Sequence, residues 1–194
     1  MIDSIELLKD NFKKIAEAQS AFLENSNSIE IFRTIVDEVV ACYRNGGRLY
    51  IAGNGGSAAD AQHLAAEFVS KLARDRNPLP AEALTTDSSI LTAIGNDYGF
   101  ENIFSRQLAA KINKEDIFLG ITTSGKSLNI IKALEQCAKS NAKSIVFGGR
   151  DGGNVINKCN YLIIAPGSKT STIQEMHISL AHTLCECVEL ELFK

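Results

Sequence analysis

The sequence predicts an α/β fold, a three-layer sandwich with a five-stranded parallel sheet between helices and an N-terminal helical hairpin. Five short β-rich runs alternate with stretches of helical periodicity, which is typical of a parallel sheet covered on both faces. Two amphipathic helical patterns precede the first run. With 194 residues, 45% of them hydrophobic, we expect a single domain, 1–194. The hairpin occupies 1–46 and the α/β core 47–194.

The hairpin comes first in the chain. Residues 2–24 and 29–44 each place apolar side chains on one helical stripe, and Gly46-Gly47 ends the second helix. These stripes pack either on their own domain or on another subunit. Strands are predicted at 48–53, 82–86, 116–123, 143–149 and 160–166. Further helices are predicted at 57–71, 88–94, 101–112, 127–140 and 171–193, with a short turn or helix at 152–158.

Composition excludes several classes of protein. The net charge is −3, so no basic surface points to nucleic acid. The five cysteines are odd in number and lack CxxC spacing, which argues against a disulfide framework or a cysteine zinc site. The N-terminus carries charges throughout, unlike a signal peptide, and no window reaches the length of a membrane span. We therefore expect a cytoplasmic protein that binds neither membrane nor nucleic acid.

A glycine loop, Gly53 to Ser57, joins the first predicted strand to a helix. Glycines allow close approach of a ligand, and a helix N-terminus with Ser57 as N-cap favours an anion. A dinucleotide fingerprint would need an acidic residue about 20 positions on, at the end of the second strand. Asp75 lies instead in a polar loop, and Asp87 comes later. A phosphate or sugar cradle is therefore the favoured interpretation.

A hydroxyl-rich loop, TTSGKS at 122–127, follows the third predicted strand and opens a helix. Its end resembles a P-loop, but the leading glycine of that motif would be Gly120, inside the strand. One hydroxyl is enough to cap a helix, whereas this loop has four. We therefore predict that the loop binds a monophosphate through hydroxyl and N–H groups.

Acid–base groups are predicted on two helices. His63 and Glu67 are four residues apart and so share one helical face. His182 lies in the apolar run ISLAHTL, where an imidazole without a partner is costly. If His63, Glu67 and His182 converge, they supply a general base, a general acid and a metal site. His177 is predicted to be exposed.

Several motifs, in order and at matching spacing from about residue 48 to 185, resemble the phosphoheptose isomerases. They are GNGGS with DAQHLAAE, GNDYGFE, FSRQL, TTSGKS, GGRDGG and IQEMHISLAH. That family has the flavodoxin-like sugar isomerase (SIS) fold and converts sedoheptulose 7-phosphate to D-glycero-D-manno-heptose 7-phosphate. The resemblance implies the first step of nucleotide-activated heptose synthesis for lipopolysaccharide or another surface polysaccharide.

The resemblance also implies residue roles. Glu67 and His182 would be the catalytic acid–base pair. Residues that would contact substrate, by hydroxyl, amide, carboxylate or backbone, are Asn54, Gly55, Gly56, Ser57, His63, Glu67, Asn96, Asp97, Thr122, Thr123, Ser124, Ser127 and Gln174. Residues that would hold one zinc ion per subunit are His63, Glu67, Gln174 and His182.

The family is typically a homotetramer with sites between subunits. This chain departs from it in having Thr122 where serine is usual, and Ser171-Thr172 where some members have Asp-Arg. The alternatives are a non-catalytic SIS protein that binds sugar phosphate or a replication initiator, or another SIS activity such as pentose-phosphate isomerisation or phosphosugar etherase chemistry.

Overall fold

A computed structural model describes residues 3–193 as a parallel sheet between two layers of helices. The strands are β1 (Leu49–Gly53), β2 (Ala81–Ala83), β3 (Ile117–Ile121), β4 (Lys143–Gly149) and β5 (Tyr161–Ala165). The helices are α1 (Ser4–Glu24), α2 (Ser26–Arg44), α3 (Gly56–Val69), α4 (Ser88–Tyr98), α5 (Ser105–Lys111), α6 (Leu128–Lys139) and α7 (Thr170–Leu192). Short 3-10 turns occupy Phe100–Asn102 and Gly153–Val155.

The strand order is β2-β1-β3-β4-β5, with every neighbouring pair parallel. The chain moves to one side of β1 to form β2 and then returns to the other side to form β3. This reversal creates a crevice at the carboxyl ends of β1 and β3, where Gly53 is paired with Ile121. Crevices at such switch points are where open α/β sheets bind ligands.

Alternation along the strands fills both faces of the sheet. In β1, Leu49 and Ile51 join the core beneath α2, α3 and α7, whereas Tyr50 and Ala52 face the core beneath α5 and α6. All four side chains are buried, and complete burial of a large apolar side chain stabilises the fold by about 1.5–3 kcal/mol. The predicted fold class and its five strands are confirmed.

The N-terminal hairpin packs on α7 and β5. Asn25 forms the corner: its N–H donates to the Phe22 carbonyl and its side chain accepts from the Ser28 N–H. The second helix therefore begins at Ser26, three residues before its predicted start. Residue 2 of the predicted first helix lies outside the described residues. Within the described chain, no helix has the length and apolarity to cross a membrane.

Candidate active site

The glycine loop and the hydroxyl loop form two walls of one small polar cavity at the switch point. Its volume is about 250 Å³. The lining residues are Asn54, Gly55, Gly56, Ser57, Ile121, Thr122, Thr123, Ser127, Thr170 and Gln174. None of them is charged, and α3, α6 and α7 all begin beside the cavity. An anion here would be held by hydroxyl and N–H donors and by helix N-termini rather than by ion pairs.

The glycine loop brings backbone close to the cavity. Gly55 has a φ of +56° and is the N-cap of α3, so Ser57 lies in the first turn of the helix and is buried. The prediction of Ser57 as N-cap is wrong, because the left-handed turn at Gly55 starts the helix earlier. Because Gly55 and not Ser57 is the N-cap, the Ser57 side chain is not the cap of the helix, and Ser57 lines the cavity.

The hydroxyl loop is a preformed turn. The buried Thr122 Oγ1 accepts from the Gly125 N–H at 3.2 Å and lies 3.3 Å from the Ser127 Oγ. Gly125 has a φ of +64°, and a Cβ there would lie 2.0 Å from the Gly152 carbonyl oxygen. Ser127 is the N-cap of α6 but makes no side-chain capping bond. The hydroxyls of Thr122 and Ser127 therefore belong to the cavity rather than to helix capping.

Other predicted substrate residues lie apart from this cavity. Ser124 Oγ accepts from the Lys126 N–H at 3.2 Å, and Ser124 lines a neighbouring, more open cleft. Asn96 and Asp97 are exposed near the end of α4, where the Asn96 amide donates to the Asp97 carboxylate at 2.8 Å. Neither Asn96 nor Asp97 is among the lining residues of the cavity within the described chain.

Three of the predicted acid–base and metal residues converge between α3 and α7. The His63 Nε2 lies 3.2 Å from the Glu67 Oε1 and 2.9 Å from the His182 Nε2. The side chain of His63 is 48% exposed and that of Glu67 is 20% exposed. One carboxylate and two imidazoles, partly open to solvent, are side chains of the kinds that serve as general acids and bases.

Two nitrogen atoms and one carboxylate oxygen can also hold a metal ion here. One ligand atom from each of His63, Glu67 and His182 lies within 4.8 Å of the other two. Two histidines with one glutamate are a known ligand set for catalytic zinc. One turn before His63, the Asp60 Oδ2 is buried without a hydrogen-bond partner in the described chain, and burial raises the pKa of this carboxyl. A cation beside His63 would offset that burial.

Gln174 lines the cavity and lies on α7, the helix that also carries His182. Its amide packs against the glycine loop, so that a Cβ on Gly56 would lie 2.4 Å from the Gln174 Nε2. Gln174 and His182 are eight residues apart on α7, or about 12 Å of helical rise. In this structure the Gln174 side chain lies at the cavity. Its role as a fourth metal ligand stays a prediction.

His177 is buried, contrary to the prediction that it is exposed. Its exposed fraction is 0%, and its Nε2 donates to the Gly148 carbonyl oxygen at 2.8 Å. Burial lowers the pKa of His177, although the bond to Gly148 acts in the opposite direction. His177 therefore anchors α7 to β4 as a neutral imidazole and takes no part in the exposed cluster.

Sequence reasoning did not identify two polar groups beside these walls. Asn129, at the start of α6, exchanges two amide hydrogen bonds with Asn54, at 2.9 and 2.8 Å. Thr170, the first residue of α7, lines the cavity. The available signal for Asn129 was its place two residues after Ser127, which is predicted to bind phosphate, but the partner of Asn129 lies 75 residues earlier.

Fold and site together define a class, namely α/β proteins with a polar, donor-lined cavity at the switch point and a carboxylate–imidazole cluster on two of the helices that border it. The SIS domain family model matches residues 9–149. The chain belongs to the phosphoheptose isomerases of the SIS domain family. The resemblance stated from the sequence motifs is thereby confirmed.

The comparisons cover nearly the whole chain. The phosphoheptose isomerase of Aneurinibacillus thermoaerophilus is 44% identical over 97% of this chain and 96% of its own length. Phosphoheptose isomerase 2 of Campylobacter jejuni is 48% identical over 96% of this chain and 92% of its own. The solved phosphoheptose isomerase of Neisseria gonorrhoeae is 37% identical, covers 97% of this chain and 100% of its own, and has a TM-score of 0.90.

Proposed function

We propose that this chain is an aldose–ketose isomerase that converts sedoheptulose 7-phosphate to D-glycero-D-manno-heptose 7-phosphate. The reaction would supply the first intermediate of nucleotide-activated heptose synthesis for lipopolysaccharide or another surface polysaccharide. The observation that carries this proposal is that α3 and α7 begin at the uncharged, donor-lined cavity and, further along, bring the Glu67 and His182 side chains together. The family membership of the chain gives independent support.

In this proposal the cavity holds the phosphate. The hydroxyls of Ser57, Thr122 and Ser127 and the backbone of Thr123 would bind its oxygens, and the Ser124 hydroxyl would approach it from the neighbouring cleft. Three helix N-termini replace the positive side chains that the cavity lacks. The glycine loop, from Asn54 to Gly56, would line the sugar, and Asn96 and Asp97 would bind its hydroxyls in the assembled enzyme.

The Glu67 carboxylate would remove the proton from C1 of the ketose and return it to C2 of the resulting enediol. His182 would donate a proton to the C2 oxygen and take one from the C1 hydroxyl, so the substrate gains and loses no proton overall. A carboxylate and an imidazole suit these two transfers near neutral pH. The distance of 2.9 Å between the Nε2 atoms of His63 and His182 supports a role for His63 in orienting the second imidazole.

We also propose one zinc ion per subunit, held by His63, Glu67 and His182 with Gln174 as the fourth ligand. The donor set and the unpartnered Asp60 oxygen support this fit. When bound, the ion would polarise the substrate oxygens or secure the geometry of the side chains.

We further propose that the chain forms a homotetramer with sites between subunits and acts in the cytoplasm. Exposed apolar side chains on the hairpin support the interface between subunits. Ile5, Leu8, Phe12 and Leu23 on α1 are each more than half exposed. An apolar groove of about 340 Å³ between the hairpin and α7 continues this surface. Contiguous apolar surface of this kind is typical of protein interfaces.

A non-catalytic SIS protein that only binds a sugar phosphate is not favoured, because binding does not require the cluster of Glu67 with two imidazoles. The experiment that separates the two functions incubates the purified protein with sedoheptulose 7-phosphate and follows the aldose by NMR. Unphosphorylated sedoheptulose is the matched control, and metal content is measured on the same sample. We expect aldose from the phosphorylated sugar only; binding without product would refute the isomerase function.

A further inference from the structure

A buried ion pair joins the two helices that carry the proposed acid–base groups. Arg76 lies in the segment between α3 and β2, and Glu189 lies near the end of α7. The Arg76 Nε donates to the Glu189 Oε1 at 2.9 Å, and the Nη2 lies at the same distance from that oxygen. Both side chains are 1% exposed, so the pair is shielded from solvent and salt.

The remaining donors of Arg76 hold the carboxyl end of α3. Its Nη2 donates to the carbonyl oxygen of Glu67 itself at 2.8 Å, and its Nη1 donates to the carbonyl oxygens of Phe68 at 2.6 Å and Ser70 at 3.3 Å. The last turn of a helix leaves such carbonyls without intrahelical partners. Because the last turn of α3 contains no basic residue, the guanidinium supplies the positive charge there.

Glu189 is held equally firmly on the side of α7. Its Oε1 also accepts from the Leu72 N–H at 3.0 Å, and its Oε2 accepts from the Ala73 N–H at 3.1 Å. Burial by itself raises the pKa of Glu189, but these amides and Arg76 outweigh burial and hold the pKa below its usual value. Glu189 is seven residues, or two turns, beyond His182 and so lies on the same face of α7.

We infer that Arg76 and Glu189 are positioning residues for the Glu67 and His182 pair, an inference that rests on the proposed function. One guanidinium bonds the backbone of the proposed base and the helix of the proposed acid. Apolar residues of equal volume can hold two helices together as strongly as a buried ion pair does. They cannot donate several hydrogen bonds in a fixed planar fork, which sets the rotation and axial position of α3 against α7.

The double variant Arg76→Met with Glu189→Leu is the central test, because it removes both charges and leaves no buried charge unpaired. Arg76→Lys is the second variant, because lysine keeps the charge but loses the fork. Glu38→Gln is the matched control. Glu38 is also a largely buried carboxylate, and it is paired with Lys143 and Tyr161, the first residues of β4 and β5.

We expect folded variants whose kcat is about 10–100-fold lower, since a misplacement of about 1 Å costs this much. The KM for sedoheptulose 7-phosphate should change less than about two-fold, because the phosphate loop is untouched, and zinc affinity should fall with kcat. Glu38→Gln should keep the wild-type kcat. A wild-type kcat and zinc affinity in the folded double variant would overturn the positioning role.

Failure of the proposed function would look different. A wild-type protein that makes no aldose from sedoheptulose 7-phosphate refutes the isomerase function, and the affinity for zinc alone then decides the positioning role. If only Arg76→Lys folds, the same two readouts apply to it. If kcat falls and KM rises by the same factors in these variants and in Glu38→Gln, the losses reflect a general loss of stability. That result would contradict the inference.

Discussion

Gly56→Ala should damage activity while leaving the fold intact or slightly more stable. The new Cβ would lie 2.4 Å from the Gln174 Nε2, whereas ordinary contact begins at 3.4 Å. The amide of Gln174 must therefore withdraw by about 1 Å, and such a displacement of a positioning group costs up to about 100-fold in rate. We expect kcat/KM to fall by about 10–100-fold, equivalent to about 1.4–2.7 kcal/mol of transition-state stabilisation.

The thermal stability of Gly56→Ala should not fall together with its activity. The group displaced by Gly56→Ala is the free end of a flexible side chain, and alanine in a helix is favoured over glycine by up to about 1 kcal/mol. The midpoint of thermal unfolding should therefore stay level or rise. Gly95→Ala, in helix α4, is the matched control, because the nearest atom to its Cβ lies at 4.0 Å; it should keep full activity.

A double-mutant cycle identifies the route of the Gly56 effect. If the added methyl group lowers activity by displacing the Gln174 side-chain amide, Gly56→Ala should cost little further activity in a Gln174→Ala background. Steady-state kinetics of the four proteins give the coupling. An undiminished loss in that background would show that the methyl group disturbs the loop or the ligand directly and would refute the role given to Gln174.

Three further predictions concern the cavity, the sheet anchor and the hairpin. Thr122→Val removes the hydroxyl that accepts from Gly125, so the KM should rise several-fold in steady-state assays, with a loss of about 1 kcal/mol in stability; an unchanged KM would contradict phosphate binding there. Burial holds the pKa of His177 below its usual 6.5. Below that pH the unfolded chain therefore binds a proton more readily than the folded chain does, and the free energy of unfolding falls as the pH drops. In chemical denaturation from pH 7 to pH 5, the free energy of unfolding of His177→Gln should depend less on pH than that of the wild type. An unchanged pH dependence would show that His177 is not its source. Phe12, 67% exposed, should lie in an interface, so sedimentation of Phe12→Glu should show smaller species than the wild type; identical sedimentation would exclude it from the interface.

The strands and most helices could be predicted because burial imposes a period on the sequence. The run KSIVFGG gives β4 with both bounds correct, since nearly every residue in it is buried. The prediction that His177 is exposed was wrong because it followed from the polarity of the side chain and not from its position on the helix. It lies four residues after Ile173 and three before Leu180, both buried, so the helical period alone indicates the core face.

The convergence of the site could not be predicted from spacing. His63 and His182 are 119 residues apart, and only the packing of α3 against α7 brings their rings together. The role of Arg76 had no signal in the sequence, because it stands in a polar segment among other charges. Its function depends on backbone carbonyls, which every residue has, and on a carboxylate 113 residues away.

The most direct test of the account is to compare turnover and binding in Glu67→Gln and His182→Gln. Both variants keep polar side chains of similar size but cannot relay protons. General acid–base groups contribute about 10²–10⁴-fold to a rate, so kcat on sedoheptulose 7-phosphate should fall by that amount in each variant. The dissociation constant for the sugar phosphate, from calorimetry, should stay within about three-fold because the cavity is unchanged. Near-normal turnover in both variants would contradict the account.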